Sequence, residues 1–316
     1  MIKLFKKGLE FIKSGQGFWL AILLPFFFKG ETNHRILQLK LELVLKNKIK
    51  KIVKNFETIE IPEQINERKQ PIDENTIWFM WLQGIENAPD LVKNNFFYLQ
   101  NHFGTRVKLI TSENIESYLN VPKIINKKWK NKIISNTHFS DIIRVQLLVT
   151  YGGIWIDSTV FAKEKFIKFV DTKYFIIPRT FAPGSDGKTI PISSWFIKSE
   201  RDNYFLKTVQ AKLVCYWTNK NNLVTYFLLH YLLVLTSEEM DDYFEKTFPI
   251  DNTLPHYLML HMRKQKISKE KMEFLIKQFS LMKFTNKTVS SLESDNYETL
   301  NSILSVKGAD STKYEL

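Results

Sequence analysis

The sequence predicts an α/β protein with a mostly parallel central sheet covered by helices. A helical, basic N-terminal extension precedes the sheet and a helix-rich part follows it. Three observations carry this expectation. Apolar runs bounded by turn signals recur at residues 76–82, 107–111 and 154–156, the last without a charge, the pattern of strands in a central sheet. Helical stretches alternate with them, and a strand–helix–strand rhythm builds a parallel sheet. An apolar content of 44%, with 25 Phe and 7 Trp, supplies a sizeable core and argues against a disordered chain. Residues 1–70 are expected to form an N-terminal segment and linker, and residues 71–316 the main domain.

Taken in order, a helix spans about residues 32–56, with Thr32 or Asn33 as its cap. Ile36, Leu39 and Leu43 form its apolar stripe, continued by Leu45, Ile49, Ile52 and Phe56. Residues 57–75 are polar, contain Pro62 and Pro71, and read as a linker. The run at 76–82 is the first central strand, ended by Gln83 and Gly84. Pro89 suits the first turn of a helix reaching about His102. Residues 107–111 form a second strand, followed by a short helix capped by Ser112 or Asn114 and running through Leu119. Residues 122–136 are basic and helical in character. A helix from His138, a turn at Gly152 and Gly153, and the strand 154–156 follow, with Asp157 emerging at that strand's carboxyl end. Residues 175–178 and 191–198 read as further strands joined by a glycine-containing loop at 183–187. Beyond Arg201 helices are expected at 203–219, 222–235 and 268–279; the uncharged run 223–235 is too short to span a bilayer and reads as core.

Charge is unevenly placed. The net charge is +12, and residues 1–54 hold twelve basic against three acidic residues. Anionic partners are therefore expected. Lys3, Lys6 and Lys7 precede the aromatic–aliphatic run 18–28, interrupted by Pro25, and a basic helix follows. That order suits an anchor on an anionic membrane surface; the competing reading buries residues 18–28 against the main domain and leaves the lysines solvated. No apolar run reaches the length of a transmembrane helix. No small-residue cleavage site precedes Lys29, so the apolar run reads as retained rather than as a signal peptide. Charge clustered at one end, rather than across a face of exposed aromatics, argues against nucleic acid. The single cysteine, Cys215, excludes an internal disulfide and a cysteine-based zinc site, and fits a reducing compartment.

Several catalytic devices are absent: Gly-x-Gly-x-x-Gly after a strand, a phosphate-binding Gly-Lys-Ser/Thr loop, His-Glu-x-x-His and Gly-x-Ser-x-Gly. His256 and His261 are five apart, a spacing that does not align two ligands on one helix face. What remains is Ser140, Asp141 and Arg144 in the opening turns of a helix, a glycine turn, and Asp157. Asp141 and Arg144 share a helix face at i, i+3, and open α/β sheets place ligands at strand carboxyl ends. If the helix packs back on the strand, these groups line one crevice. Taken alone, Asp141 and Arg144 read more simply as a helix-surface ion pair.

Five words in order carry a resemblance over about residues 76–290. They are Trp81-Leu-Gln-Gly84 with Ala88-Pro89, His138-Phe-Ser-Asp-Ile-Ile-Arg144, Tyr151-Gly-Gly-Ile-Trp-Ile-Asp-Ser-Thr-Val-Phe161, Ser194-Trp-Phe-Ile197 and, more weakly, Leu281-Met-Lys-Phe-Thr-Asn-Lys287. The set resembles the bacterial capsular polysaccharide synthesis protein family, within the GT-A type glycosyltransferases that carry a sugar-binding Asp-x-Asp region and are similar to glycosyltransferase family 32. The resemblance implies a GT-A-like (Rossmann-like) fold, with residues 71–316 as catalytic domain. It implies a metal-dependent hexosyltransferase, of retaining type, that moves sugar from a nucleoside-diphosphate sugar. A UDP-sugar is the expected donor, and a glycan or lipid-linked oligosaccharide the acceptor. Asp141, Arg144 and Asp157 are the expected catalytic residues. Trp81, Gln83, Ser140, Asp141, Arg144 and Gly153 are the expected donor-binding residues.

Mn²⁺ or Mg²⁺ is expected as cofactor, because a hard cation takes carboxylate and hydroxyl oxygens and neutralises a leaving diphosphate. Asp157, Thr159 and His256 are its expected ligands and Lys287 the expected diphosphate contact, with Asp251 and Lys283 as further late candidates. Thr159 stands where relatives with the full Asp-x-Asp carry a second carboxylate. Alternatives stay open at single positions: Trp81 as base platform or plain core, Ser140 as helix cap, Gln83 as strand end, and the late residues as surface. The expected setting is the cytoplasmic face of the cell membrane, with peripheral attachment. The competing class is a non-catalytic module that uses its positive charge on a membrane surface or nucleic acid.

Overall fold

The protein is described by a computed structural model over residues 12–27, 29–54, 56, 63–180, 190–240, 247–288 and 290–305. The basic start at Lys3, Lys6 and Lys7, part of the expected linker, and the glycine-containing loop at 183–187 lie outside the described residues. Six strands form the central sheet: β1 (Ile77–Met80), β2 (Val107–Ile110), β3 (Gly153–Ile156), β5 (Ile176–Arg179), β6 (Phe196–Ser199) and β7 (Phe248–Asp251). Their order is β2-β1-β3-β6-β5-β7. Every neighbouring pair is parallel except the two made by β6, so the expected mostly parallel sheet is present. Two short strands, β4 (Val160–Ala162) and β8 (Leu281–Lys283), pair antiparallel beside it.

Side-chain alternation explains the apolar runs. Ile77 and Phe79 enter one core cluster with Ile154, Ile156 and Phe196; Trp78 and Met80 enter the opposite one with Trp155 and Ile197. Helices α3 (Asp90–Phe103) and α7 (Glu164–Asp171) cover the first face. The second face is covered by α6 (Asn136–Tyr151), α8 (Tyr204–Asn219) and α9 (Leu228–Glu239), which pack in series, and by α2 (Glu31–Ile52) against α9. Helix α6 is buried from His138 to Tyr151 apart from Ser140, as a helix enclosed on all sides must be. Ser135 caps it, accepting from the His138 N–H; Ser140 therefore lies inside the helix and is not its cap. Beyond α6, Gly152 and Gly153 take φ of 73° and 102°, and a Cβ on Gly153 would lie 2.3 Å from the Thr76 carbonyl oxygen.

The remaining elements are α1 (Gly17–Phe27), α4 (Ile115–Tyr118), α5 (Lys123–Lys130), α10 (Tyr257–Met262), α11 (Lys269–Gln278) and α12 (Ser291–Leu304). Three expectations need correction. In α2 the buried line is Leu37, Leu41, Leu45, Ile49 and continues to Val53, while Leu39 and Leu43 are exposed. Its cap position is Gly30, and Asn33 instead donates its amide to the Lys29 carbonyl at 2.8 Å. The run 222–235 is helical only from Leu228, and β7, β8 and α12 interrupt or extend a region expected to hold only three helices.

Candidate functional site

From β1 the chain crosses to β2 on one side and returns to β3 on the other. At such a switch of direction the carboxyl ends of the two strands border a crevice, the usual ligand position in open sheets. Trp81 follows β1 and Asp157 follows β3.

Arg144, delivered by α6, is the buried centre of a charged cluster. Its Nη2 forms an ion pair with Asp157 Oδ1 at 2.9 Å and lies 3.4 Å from Asp141 Oδ1. Its Nη1 donates to the carbonyl and hydroxyl oxygens of Ser194, and the guanidinium lies 4.8 Å from the centroid of the Trp155 ring. Asp157 Oδ1 also accepts from Trp155 Nε1 at 2.9 Å, while Oδ2 accepts from Lys283 Nζ at 3.1 Å. The same ammonium donates to Thr159 Oγ1 at 2.7 Å. Burial alone would raise the Asp157 carboxyl. Arg144, then Lys283, then hydrogen bonds from Trp155 and Lys283 outweigh burial and hold it below the usual carboxylate range.

Two residues that sequence reasoning missed border the cluster. His230, in the first turn of α9, feels Asp141, Arg144, Asp157 and Lys283; burial is the main cause that pushes it down to about 4, so it is neutral near pH 7. Its Nδ1 is buried with no hydrogen-bond partner among the described residues. Tyr226 meets the His138 ring edge-on at 5.7 Å, and His138 Nδ1 lies 3.5 Å from Asp141 Oδ2. The only signal for His230 was a lone histidine inside an uncharged apolar run.

The expected residues thus divide. Asp141, Arg144, Asp157, Thr159 and Lys283 come together. Trp81 sits at the crevice rim, half-buried, with a buried Nε1 that has no partner among the described residues. Gln83 is exposed in the turn after β1, its carbonyl accepting from Asn87 at 2.8 Å. Ser140 is half-buried within α6. Gly153 begins β3, the end of the strand opposite Asp157, so it serves the close approach to Thr76 rather than a ligand. Asp251 accepts from the Leu254 N–H at 2.6 Å, and His256 Nδ1 contacts the Asn252 carbonyl at 2.8 Å while its ring meets Trp195 edge-on at 5.9 Å. Lys287 is exposed.

The expected divalent cation does not fit this donor set. Asp157 contributes one negative charge, and both of its oxygens are already ion-paired, Oδ1 with Arg144 and Oδ2 with Lys283. Thr159 adds only a neutral hydroxyl, which Lys283 occupies. No group of three His, Cys, Asp or Glu side chains among the described residues comes within range of one ion, so His256 does not complete a triad. A dication beside Asp157 would meet the repulsion of Lys283 and Arg144 together.

The fold and crevice define an open-sheet α/β protein with a charged side-chain cluster at the carboxyl ends of its strands. The sequence profile described as Capsular polysaccharide synthesis protein matches residues 26–302, and the chain belongs to that family. The match begins within the segment expected to stand apart from the main domain. Two curated relatives are more distant. O-glycosyltransferase PaGT of Phomopsis amygdali is 28% identical over 109 residues, 31% of this chain and 27% of PaGT. O-glycosyltransferase braB of Annulohypoxylon truncatum is 27% identical over 112 residues, 32% of this chain and 27% of braB. The chain thus spans about a quarter of the length of the curated relatives it matches.

Proposed function

We propose that this protein is a glycosyltransferase of capsular or other surface polysaccharide synthesis, of GT-A type, that uses a nucleoside-diphosphate sugar, with UDP-sugars the first to try. One observation carries the reading. At the switch point of the sheet, a carboxylate is held between a buried guanidinium and a partly exposed ammonium, and the adjacent strand end carries an indole N–H with no partner among the described residues. The Lys283 ammonium suits a diphosphate, with Arg144 holding Asp157 behind it, and the half-buried Trp81 ring suits a nucleoside base. Asp141 and Asp157 orient the two cations and offer acceptors to sugar hydroxyls. In the transfer, the bond from sugar C1 to the diphosphate oxygen breaks and that oxygen keeps the electron pair. C1 then bonds to the acceptor hydroxyl oxygen, whose proton passes to the departing phosphate; retention at C1 is part of the proposal.

A lipid-linked acceptor at the cytoplasmic membrane face is proposed from the N-terminal helices. Helix α1 has no buried residue and exposes Phe18, Trp19, Ile22 and Phe26 beside the lysine-rich α2, which suits an anionic interface. No helix among the described residues is long and apolar enough to cross a membrane.

The test is nucleoside diphosphate release from a panel of nucleotide-sugars, with and without membrane extract as acceptor. Release from one donor, falling by about a hundredfold or more in Asp157→Asn, is expected. Equal rates in the two proteins would overturn the assignment.

A further inference from the structure

We propose that Lys283 is the resident cation of this site. Its ammonium sits between Asp157 and Thr159, where the resemblance puts a divalent metal, and neutralises the donor diphosphate itself. The inference rests on the transferase reading and deepens it.

The position of Lys283 is set by backbone, not by a wandering side chain. Strand β8 pairs with β4 in the register Val160 opposite Lys283, and the Phe284 N–H donates to the Thr159 carbonyl at 2.9 Å. Lys283 is thereby locked beside the Asp157–Thr159 segment. Its Nζ reaches both side chains of that segment, 3.1 Å from Asp157 and 2.7 Å from Thr159. An ammonium has three N–H donors. Two are taken here, and the third has no acceptor among the described residues.

Accessibility separates the two cations. The Arg144 side chain is 6% exposed and its two terminal nitrogens are engaged by Asp157, Asp141 and Ser194. Lys283 is 16% exposed and Asp157 24%. Lys283 is therefore the cation a phosphate oxygen can touch, and Arg144 acts through Asp157 as a positioning residue. One carboxylate shared by two unit cations leaves Asp157 with little to offer a metal, whereas the chain's own ammonium needs no metal to bind phosphate.

Isothermal titration of the full chain with UDP, GDP, ADP and CDP, each in EDTA and in Mn²⁺, tests this. One diphosphate should bind in EDTA with an affinity that Mn²⁺ leaves unchanged. Lys283→Gln should weaken that binding by about tenfold or more, as loss of a charge-assisted hydrogen bond does, and Lys283→Arg should retain most of it. Wild-type binding that appears only with Mn²⁺ would overturn the inference and leave the transferase reading standing. Unaltered binding by Lys283→Gln in EDTA would also overturn it. Absence of binding by all four diphosphates in both buffers would overturn the inference and the donor reading together.

Discussion

Arg144 directs its terminal nitrogens at protein oxygens, so the residue expected to clamp donor instead holds Asp157 in place. Asp157→Asn would leave that guanidinium buried against a neutral amide. Because Asp157 is partly exposed, a loss of about 1–3 kcal/mol is expected, less than for a fully buried pair, visible as a fall of several degrees in Tm. An unchanged Tm would show that the pair contributes nothing. His230 gives a pH signature. Unfolded histidine takes up its proton near pH 6.5 but folded His230 only near 4. The unfolded state therefore binds more protons between these values, and stability falls as pH drops through that window, by up to about 3 kcal/mol. The depressed Asp157 carboxyl acts lower: its contribution is present above about pH 4 and is lost as pH falls further. Thermal unfolding between pH 7 and 4 should show a shallower acid limb in His230→Phe; an identical limb would refute the assignment.

Among the elements, the helix–turn–strand from α6 to β3 is the part most legible in the sequence. Its strand is an uncharged run, its glycines mark a tight approach, and its carboxylate follows directly. What sequence could not separate was the two ends of β3. Gly153 and Asp157 lie close in sequence but at opposite ends of the strand, one against Thr76 and the other in the crevice. Gly153→Ala should cost about 3 kcal/mol or more, from a positive φ and a Cβ driven into the Thr76 carbonyl. It should therefore lower Tm strongly, and a tolerated alanine would mean that β1 shifts to admit it. The pairing of β4 with β8 was illegible because strands this short carry no periodic signal, and it joins residues 160 and 283, far apart in the sequence. Lys283 was accordingly one of several late candidates until that pairing placed it.

Across the whole molecule, the N-terminal helices divide between core and surface. Leu45, Ile49 and Val53 of the α2 segment join the main core cluster, whereas α1 has no buried residue. The basic, aromatic composition of residues 1–54 was legible; the face α2 buries was not, because leucines occupy several of its faces. Deleting residues 1–56 would open the core, so substitution is the cleaner probe. Phe18→Ser, Trp19→Ser and Phe26→Ser combined should weaken binding to anionic phosphatidylserine vesicles by about tenfold or more while leaving Tm unchanged. Equal vesicle binding would remove the anchor from the proposal.

The donor site itself is tested most directly by the thermal unfolding of wild type and Trp81→Ala across nucleotide-sugars that differ in base and sugar. A saturating donor at about 100 times its Kd adds about 2.7 kcal/mol. One nucleoside series should therefore raise the wild-type Tm by several degrees, and Trp81→Ala should lose most of that rise. A flat response across the panel, with wild type and variant alike, would contradict a nucleotide-sugar site at the carboxyl ends of β1 and β3.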